Sequence, residues 1–213
     1  MRILHITNHA MEIGNGIVNV AVDLACTQSD SGHQVFYASN GGEYENLLNF
    51  HGVQHHQIKL RKSLFGLPQL WVDFRRIIRA TRPDIVHAHM MTGAIIGKIS
   101  RPGFGYKLVT HVHNEFQRSA RLMGVGDAVI AVSEAVSVSM QNRGIPALRY
   151  HEYHTVYRHG HIPSGSAGRC VYLWANPFPI VSHNSFFTNN FCFIQKALRH
   201  RRQGLPNYGA ALV

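Results

Sequence analysis

No apolar run in the 213 residues approaches the roughly 18 uninterrupted apolar side chains that a membrane-spanning helix needs. The start, Met1-Arg2-Ile3-Leu4-His5-Ile6-Thr7, is a short strand-like run without the apolar core of a secretory signal. Cysteine is scarce. Cys26, Cys170 and Cys192 are odd in number and form no CxxC pair, which excludes a disulfide framework or a Cys-based zinc cluster and points to a reducing compartment. The expected location is cytoplasmic, with a peripheral position at the inner membrane face as its extension. Acids are missing from one end. Residues 1–150 hold 15 Lys+Arg and 10 Asp+Glu, whereas the last 63 hold 6 and 1, the lone acid being Glu152. The net charge of +10 is therefore diluted in the first part and concentrated in the second. A basic balance suits anionic partners such as nucleotide sugars, lipid headgroups or nucleic acid. The chain has no RNA-binding signature, so nucleic acid is not expected. No internal repeat is present.

What is present in residues 1–150 is regular alternation. Ile3–Thr7 reads as a strand and Asn8–Gly16 as a polar, glycine-containing loop. Ile17–Ser29 places Ile17, Val18, Val20, Ala21, Leu24 and Ala25 at helical spacing, Gly32 closes that helix, and Gln34–Ala38 is a second strand. A short helix over Glu45–His51 and an extended segment over Val53–Leu60 follow. Pro68–Thr81 predicts a helix with Leu70, Trp71, Phe74, Ile77 and Ile78 on one face and Arg75, Arg76, Arg79 and Arg82 on the other. The stripe suits either a solvated surface or an anionic membrane surface. Strands over Asp84–His89, Lys107–His113 and Ala128–Val132 alternate with helices over Thr92–Ile99, Glu115–Met123 and Ser133–Asn142, with Ser133 as an N-cap. This order argues a doubly wound α/β domain with a parallel sheet.

Two features carry chemistry. Gly14-Asn15-Gly16 lies between the first strand and its helix, where glycine lets a ligand approach the backbone and the helix N-terminus favours an anion. A dinucleotide fingerprint would need glycine at position 19, which is Asn19, and an acid after the second strand, where Ala38-Ser39-Asn40 stand. Nicotinamide binding is rejected on those grounds. The sharper feature is the pair of repeats His87-Ala88-His89 and His111-Val112-His113 near the C-terminal ends of strands, where residues two apart share a face. Four imidazoles can hold a metal; equally, they can bond backbone, or one of each pair can bind substrate. No carboxylate or cysteine completes the spacing, so no metal is expected. Arg118 and Arg121, at helical spacing after His113-Asn114-Glu115, can bind phosphate or carboxylate, or form a solvated face.

In this order Met1-Arg2-Ile3-Leu4-His5-Ile6, the Gly14-Asn15-Gly16 loop, Ala21-Val22-Asp23-Leu24-Ala25 with Ser31-Gly32-His33-Gln34-Val35, Arg82-Pro83-Asp84-Ile85-Val86-His87-Ala88-His89, Val112-His113-Asn114-Glu115-Phe116 and Ala128-Val129-Ile130-Ala131-Val132-Ser133-Glu134 resemble a known pattern. It is the N-terminal, acceptor-side domain of retaining GT-B glycosyltransferases (group 1, subfamily 4-like). The resemblance covers about residues 1–147 and implies a Rossmann-like domain, one half of a GT-B fold. It implies hexosyl transfer in polysaccharide or glycolipid synthesis, from a nucleotide-diphosphate sugar to a saccharide or lipid-linked acceptor, with no cofactor or metal. Gly14, Asn15 and Gly16 would lie near the donor diphosphate, His113 would be the catalytic residue beside the transferring sugar, His89 would face the acceptor, and Asn114 and Arg118 would complete the substrate site. The donor-side cations and acid come from the second domain in that family.

The composition breaks at the end of this region. Residues 148–213 read as an irregular tail in which Pro163, Pro177, Pro179 and Pro206 interrupt any long element. The expectation is a frameshift near residues 147–150, a tail in place of the donor-binding domain, and a protein inactive alone unless a separate chain supplies that domain. The alternative is a non-catalytic Rossmann-like module binding a sugar or a partner chain.

Overall fold

The computed structural model describes residues 1–60, 66–113, 118–145 and 150–152, all within one unit, Met1–Pro177. Seven strands form one parallel sheet: β1 (Arg2–Ile6), β2 (Gln34–Ser39), β3 (Gln54–Gln57), β4 (Ile85–Ala88), β5 (Lys107–Val112), β6 (Ala128–Ala131) and β7 (Tyr150–Glu152). Their order across the sheet is β3-β2-β1-β4-β5-β6-β7. Parallel neighbours require crossovers, and these are α1 (Gly16–Asp30), α2 (Glu45–Phe50), α3 (Leu67–Thr81), α4 (Met91–Ile99), a 3-10 helix (Arg118–Val125) and α5 (Glu134–Asn142). The expected doubly wound α/β architecture is therefore present, and the first six strands have the Rossmann-like order. β7 pairs with β6 through Val129↔Tyr150 and Ala131↔Glu152, so the sheet runs past residue 147. The remainder of the expected tail lies outside the described residues.

Strand alternation builds two different faces. Leu4, Ile6, Phe36, Ala38, Val86, Ala88, Leu108 and Val112 join Leu70, Phe74 and Ile78 of α3, Ile96 of α4 and Met140 of α5 in one buried cluster. The intervening positions, His5, Tyr37, His87 and His111, are also buried but polar. α1 serves that second face, since Gln28 reaches His5. A sheet buried on both sides explains why its strands show little polar alternation. Among the described residues, no helix is long and apolar enough to cross a membrane.

Three details differ from the sequence reading. Trp71 of α3 is exposed, and Arg75 does not stay on a free cationic face. Its guanidinium lies 4.9 Å from the Trp71 ring centroid and 4.6 Å from that of Phe104, and donates to the carbonyls of Ser100 (3.1 Å) and Pro102 (3.0 Å). The planar cation finds both π faces and acceptors at the end of α4, which a helical wheel does not show. Of the helix expected over Glu115–Met123, the first three residues lie outside the described residues, and Arg118–Val125 is a 3-10 helix. Met123 gives its carbonyl to the Thr110 hydroxyl (2.6 Å), tying the segment to β5.

Asp127 ties β5 to β6. Its carboxylate accepts from the Leu108 N–H (2.9 Å) and from Arg101 (2.9 Å) with the side chain only 16% exposed. Asp127→Ala leaves both donors short of a partner. We expect a loss of about 2 kcal/mol in urea unfolding, since stranding a partly buried donor costs on the order of 1–3 kcal/mol. A stability within experimental error of the parent would show that the pair is idle.

Candidate functional site

The sheet reverses its winding between β1 and β4. β1 leads leftward to β2, while the next strand on the right, β4, arrives only after β3. Loops leaving the C-terminal ends of β1 and β4 diverge there, and open α/β sheets bind ligands in the resulting crevice. The loop after β1 brings Asn8–Asn15 to that edge. It is stapled to the loop after β2: the Ala10 N–H donates to the Gly41 carbonyl (2.9 Å), Tyr44 donates to Ala10 (2.9 Å) and Asn40 to Asn8 (3.1 Å). Gly14 is exposed in a left-handed conformation, φ 68°, with open space where a Cβ would stand.

Asn15 is the N-cap of α1, its side-chain oxygen accepting from the Ile17 N–H (3.0 Å), and Gly16 is the first helical residue, exposed to solvent. No acid lies in the first turn of this helix, so its positive end is not neutralised locally. Asn19, standing where a fingerprint would need glycine, accepts from the Tyr44 hydroxyl (3.0 Å).

Beside this loop the strands carry five histidines on one face. His5 lies on β1, His87 on β4 with His89 just beyond it, and His111 on β5 with His113 just beyond it. Ring centroids are 4.3 Å apart for His87 and His89, 4.1 Å for His111 and His113, 5.6 Å for His87 and His111, and 5.8 Å for His89 and His113. His5 Nδ1 lies 3.0 Å from His89 Nε2, and His5 Nε2 lies 2.7 Å from Gln28 Oε1. The amide oxygen only accepts, so His5 carries its proton on Nε2 and presents a lone pair at Nδ1. Among the described residues, His87 Nε2, His89 Nδ1 and His113 Nε2 are enclosed without a hydrogen-bond partner.

Burial makes a charged imidazole costly here. It pushes His5 down to about 4 and His113 down to about 3, and with neighbouring imidazoles it holds His87, His89 and His111 well below the ordinary value. All five are neutral at pH 7.

Of the residues singled out in the sequence, Gly14, Asn15 and Gly16 stand together at the entrance to α1, and His89 and His113 stand in one cluster. His89 is buried and His113 is half-buried at the cluster's margin. Asn114 lies outside the described residues. Arg118 opens the 3-10 helix, and its side chain lies outside them too; Arg121 is exposed. The two His-x-His repeats do share a face, as a strand requires. Sequence reasoning missed His5 and Gln28. Strand order is what joins them to the repeats, because β1 pairs with β4 in the register His5↔His87. The capping role of Asn15 was readable, since Asn immediately before an apolar helical run is a start signal.

The model of Glycosyltransferase Family 4 matches residues 14–158. No curated protein sequence matches the chain. Among solved structures, the fold is similar to the lipopolysaccharide outer core galactosyltransferase WaaB in its apo form, with a TM-score of 0.58 and 18% identity over 70% of this chain and 44% of that one. It is similar to a glycosyltransferase from Rickettsia africae ESF-5, with a TM-score of 0.57 and 21% identity over 70% and 41%. It is also similar to Anabaena Alr3699/HepE in complex with UDP-glucose, with a TM-score of 0.56 and 18% identity over 70% and 42%. The chain spans less than half the length of each of these proteins.

Proposed function

The chain belongs to Glycosyltransferase Family 4, and from that premise we propose that its sheet edge is the acceptor-side wall of a hexosyltransferase. The observation that carries this reading is the meeting, at the β1/β4 switch point, of an exposed glycine loop, an uncompensated helix N-terminus and a bank of neutral imidazoles. The α1 N-terminus with Gly14, Asn15 and Gly16 suits the diphosphate of a nucleotide sugar, because backbone N–H groups and the helix field favour an anion. His113 sits beside the transferring sugar, with His89 behind it toward the acceptor, and Asn114 and Arg118 complete the wall.

A histidine pushed down to about 3 does not ionise near neutrality, so His113 serves as a neutral group rather than as a cation. Departure of the diphosphate then depends on charges from a donor-binding wall, since stabilising that leaving group is an electrostatic task. We propose that the described half does not turn over alone and acts with a donor-binding half, in polysaccharide or glycolipid synthesis at the cytoplasmic membrane face. Exposed Leu67 and Val72 beside exposed Arg76 and Arg79 suit an anionic lipid surface. A second reading, a non-catalytic binding module for a sugar or a partner chain, draws on imidazoles that stay neutral near pH 7 and so supply no cation.

The deciding experiment supplies UDP- and GDP-sugars with an acceptor to the purified chain, with and without a chain carrying a donor-binding half. We expect no turnover alone and transfer when both halves are present. His113→Ala should then lower that transfer by about 10² or more, the scale of losing one group aimed at a transition state. Nucleotide-sugar or acceptor binding without transfer under every combination would favour the binding module. Turnover by the chain alone would refute the requirement for a second half.

A further inference from the structure

The histidine bank has a second capacity. Buried histidine ordinarily finds hydrogen-bond partners, because an enclosed polar nitrogen without one costs on the order of 1–3 kcal/mol. Among the described residues, His87 Nε2 is enclosed and has no hydrogen-bond partner, with His89 beside it at the strand end. His5 arrives from the adjacent strand, and one nitrogen from each of His5, His87 and His89 lies within 4.8 Å of the other two. The His5 Nδ1 to His89 Nε2 distance of 3.0 Å is short of the span between two ligands on one tetrahedral ion. With metal–nitrogen bonds of about 2.0–2.1 Å, that span is about 3.3 Å. A few tenths of an ångström of ring movement therefore opens a seat for an ion in place of the shared proton.

We propose that His5, His87 and His89 bind one divalent transition-metal ion of the zinc type, leaving a fourth position open. Two features of the site favour such an ion. His5 is oriented by Gln28: the Nε2–H donates to the amide oxygen and fixes the lone pair on Nδ1 toward the cluster. This is the outer-shell bond that metal-binding histidines ordinarily make. The all-imidazole donor set selects zinc, cobalt, nickel or copper over magnesium or calcium, which take oxygen. The site lies at the C-terminal edge of the sheet, next to half-buried His113, which marks the side nearest solvent.

The test uses the full chain, stripped with a chelator and titrated with Co²⁺ and then Zn²⁺. The expected result is one tight equivalent of Co²⁺ with the intense visible absorption of four-coordinate cobalt, displaced by Zn²⁺, together with a rise in thermal midpoint on adding Zn²⁺. His89→Gln should weaken that equivalent at least 100-fold. Gln28→Leu keeps all three ligands and should weaken it about 10- to 100-fold through the lost outer-shell bond. His51→Gln, at the end of α2 beside Asp30, should leave it unchanged. Circular dichroism of each variant separates lost binding from lost folding. Weak, multiple binding with only the pale spectrum of octahedral cobalt would overturn the proposal, as would a folded His89→Gln protein that binds as tightly as the parent. Both outcomes concern metal binding alone, so they are read apart from sugar transfer, whose catalytic residue is His113.

Discussion

Lowering the pH from about 7 to 5, with chelator present, is expected to destabilise the protein strongly. The histidine bank sets the direction. An unfolded histidine takes up a proton near its ordinary value of 6.5, whereas folded His5 does so only at about 4, folded His113 only at about 3, and His87, His89 and His111 are likewise held well below 6.5. Between those limits the unfolded state binds more protons, so stability rises with pH and is lost as pH falls below 6.5.

One histidine loses about 1.4 kcal/mol per pH unit once well below its unfolded value. His5 and His113 together lose about 3 kcal/mol by about pH 5.5, and His87, His89 and His111 add to the loss in the same direction, against the 5–15 kcal/mol that typically holds a domain together. Urea unfolding at a series of pH values, followed by far-ultraviolet dichroism, should show the midpoint falling steeply below pH 6.5. His87→Leu, which removes one buried imidazole held below its ordinary value, should make that fall shallower. A stability that stays level between pH 7 and 5 would mean that the rings are not held neutral by burial.

Much of this arrangement could be read from residue spacing, and the unread part has a common cause. Apolar period marked α1 through Val18, Ala21 and Ala25, all buried in the fold, and Ser133 does cap α5 by accepting from the Val136 N–H (3.3 Å). These are local properties, decided by a few neighbouring residues. The two His-x-His repeats were visible for the same reason, since strand alternation is local. His5 was not singled out because nothing within Arg2–Ile6 says which strand lies beside it. Only the crossover to β4 places it against His87. Arg75 was read as a solvated cation because its acceptors at Ser100 and Pro102 lie on another element. The 3-10 winding at Arg118–Val125 likewise goes with a bond from β5 to Met123. Propensity gave the elements; pairings between distant segments decided how their polar groups are spent.

The same distinction predicts which glycine matters most, and it is not the one that stands out in the sequence. Gly14 adopts φ 68° in open space, so Gly14→Ala meets only backbone strain, costing about 1–2 kcal/mol. Gly42, in the loop after β2, has φ 150° and lies against the backbone of the Gly14 loop. A Cβ there would fall on the Ala10 carbonyl group and the Met11 nitrogen. Neither can swing aside as a side-chain tip would, because Ala10 is held on both sides, donating to Gly41 and accepting from Tyr44. The two loops must therefore separate, releasing these bonds together with the Glu12 N–H to Glu43 contact (3.0 Å).

Gly42→Ala is expected to cost about 4 kcal/mol or more, in the range reserved for mutations with an identifiable structural collapse. It should also loosen amide hydrogen exchange across residues 8–16 while leaving β5 and β6 protected. Gly14→Ala should leave exchange in that loop nearly unchanged. Equal, small losses for the two substitutions would mean that the approach to α1 is not held by its neighbour, and that the anion-binding end of the helix is shaped by the ligand instead.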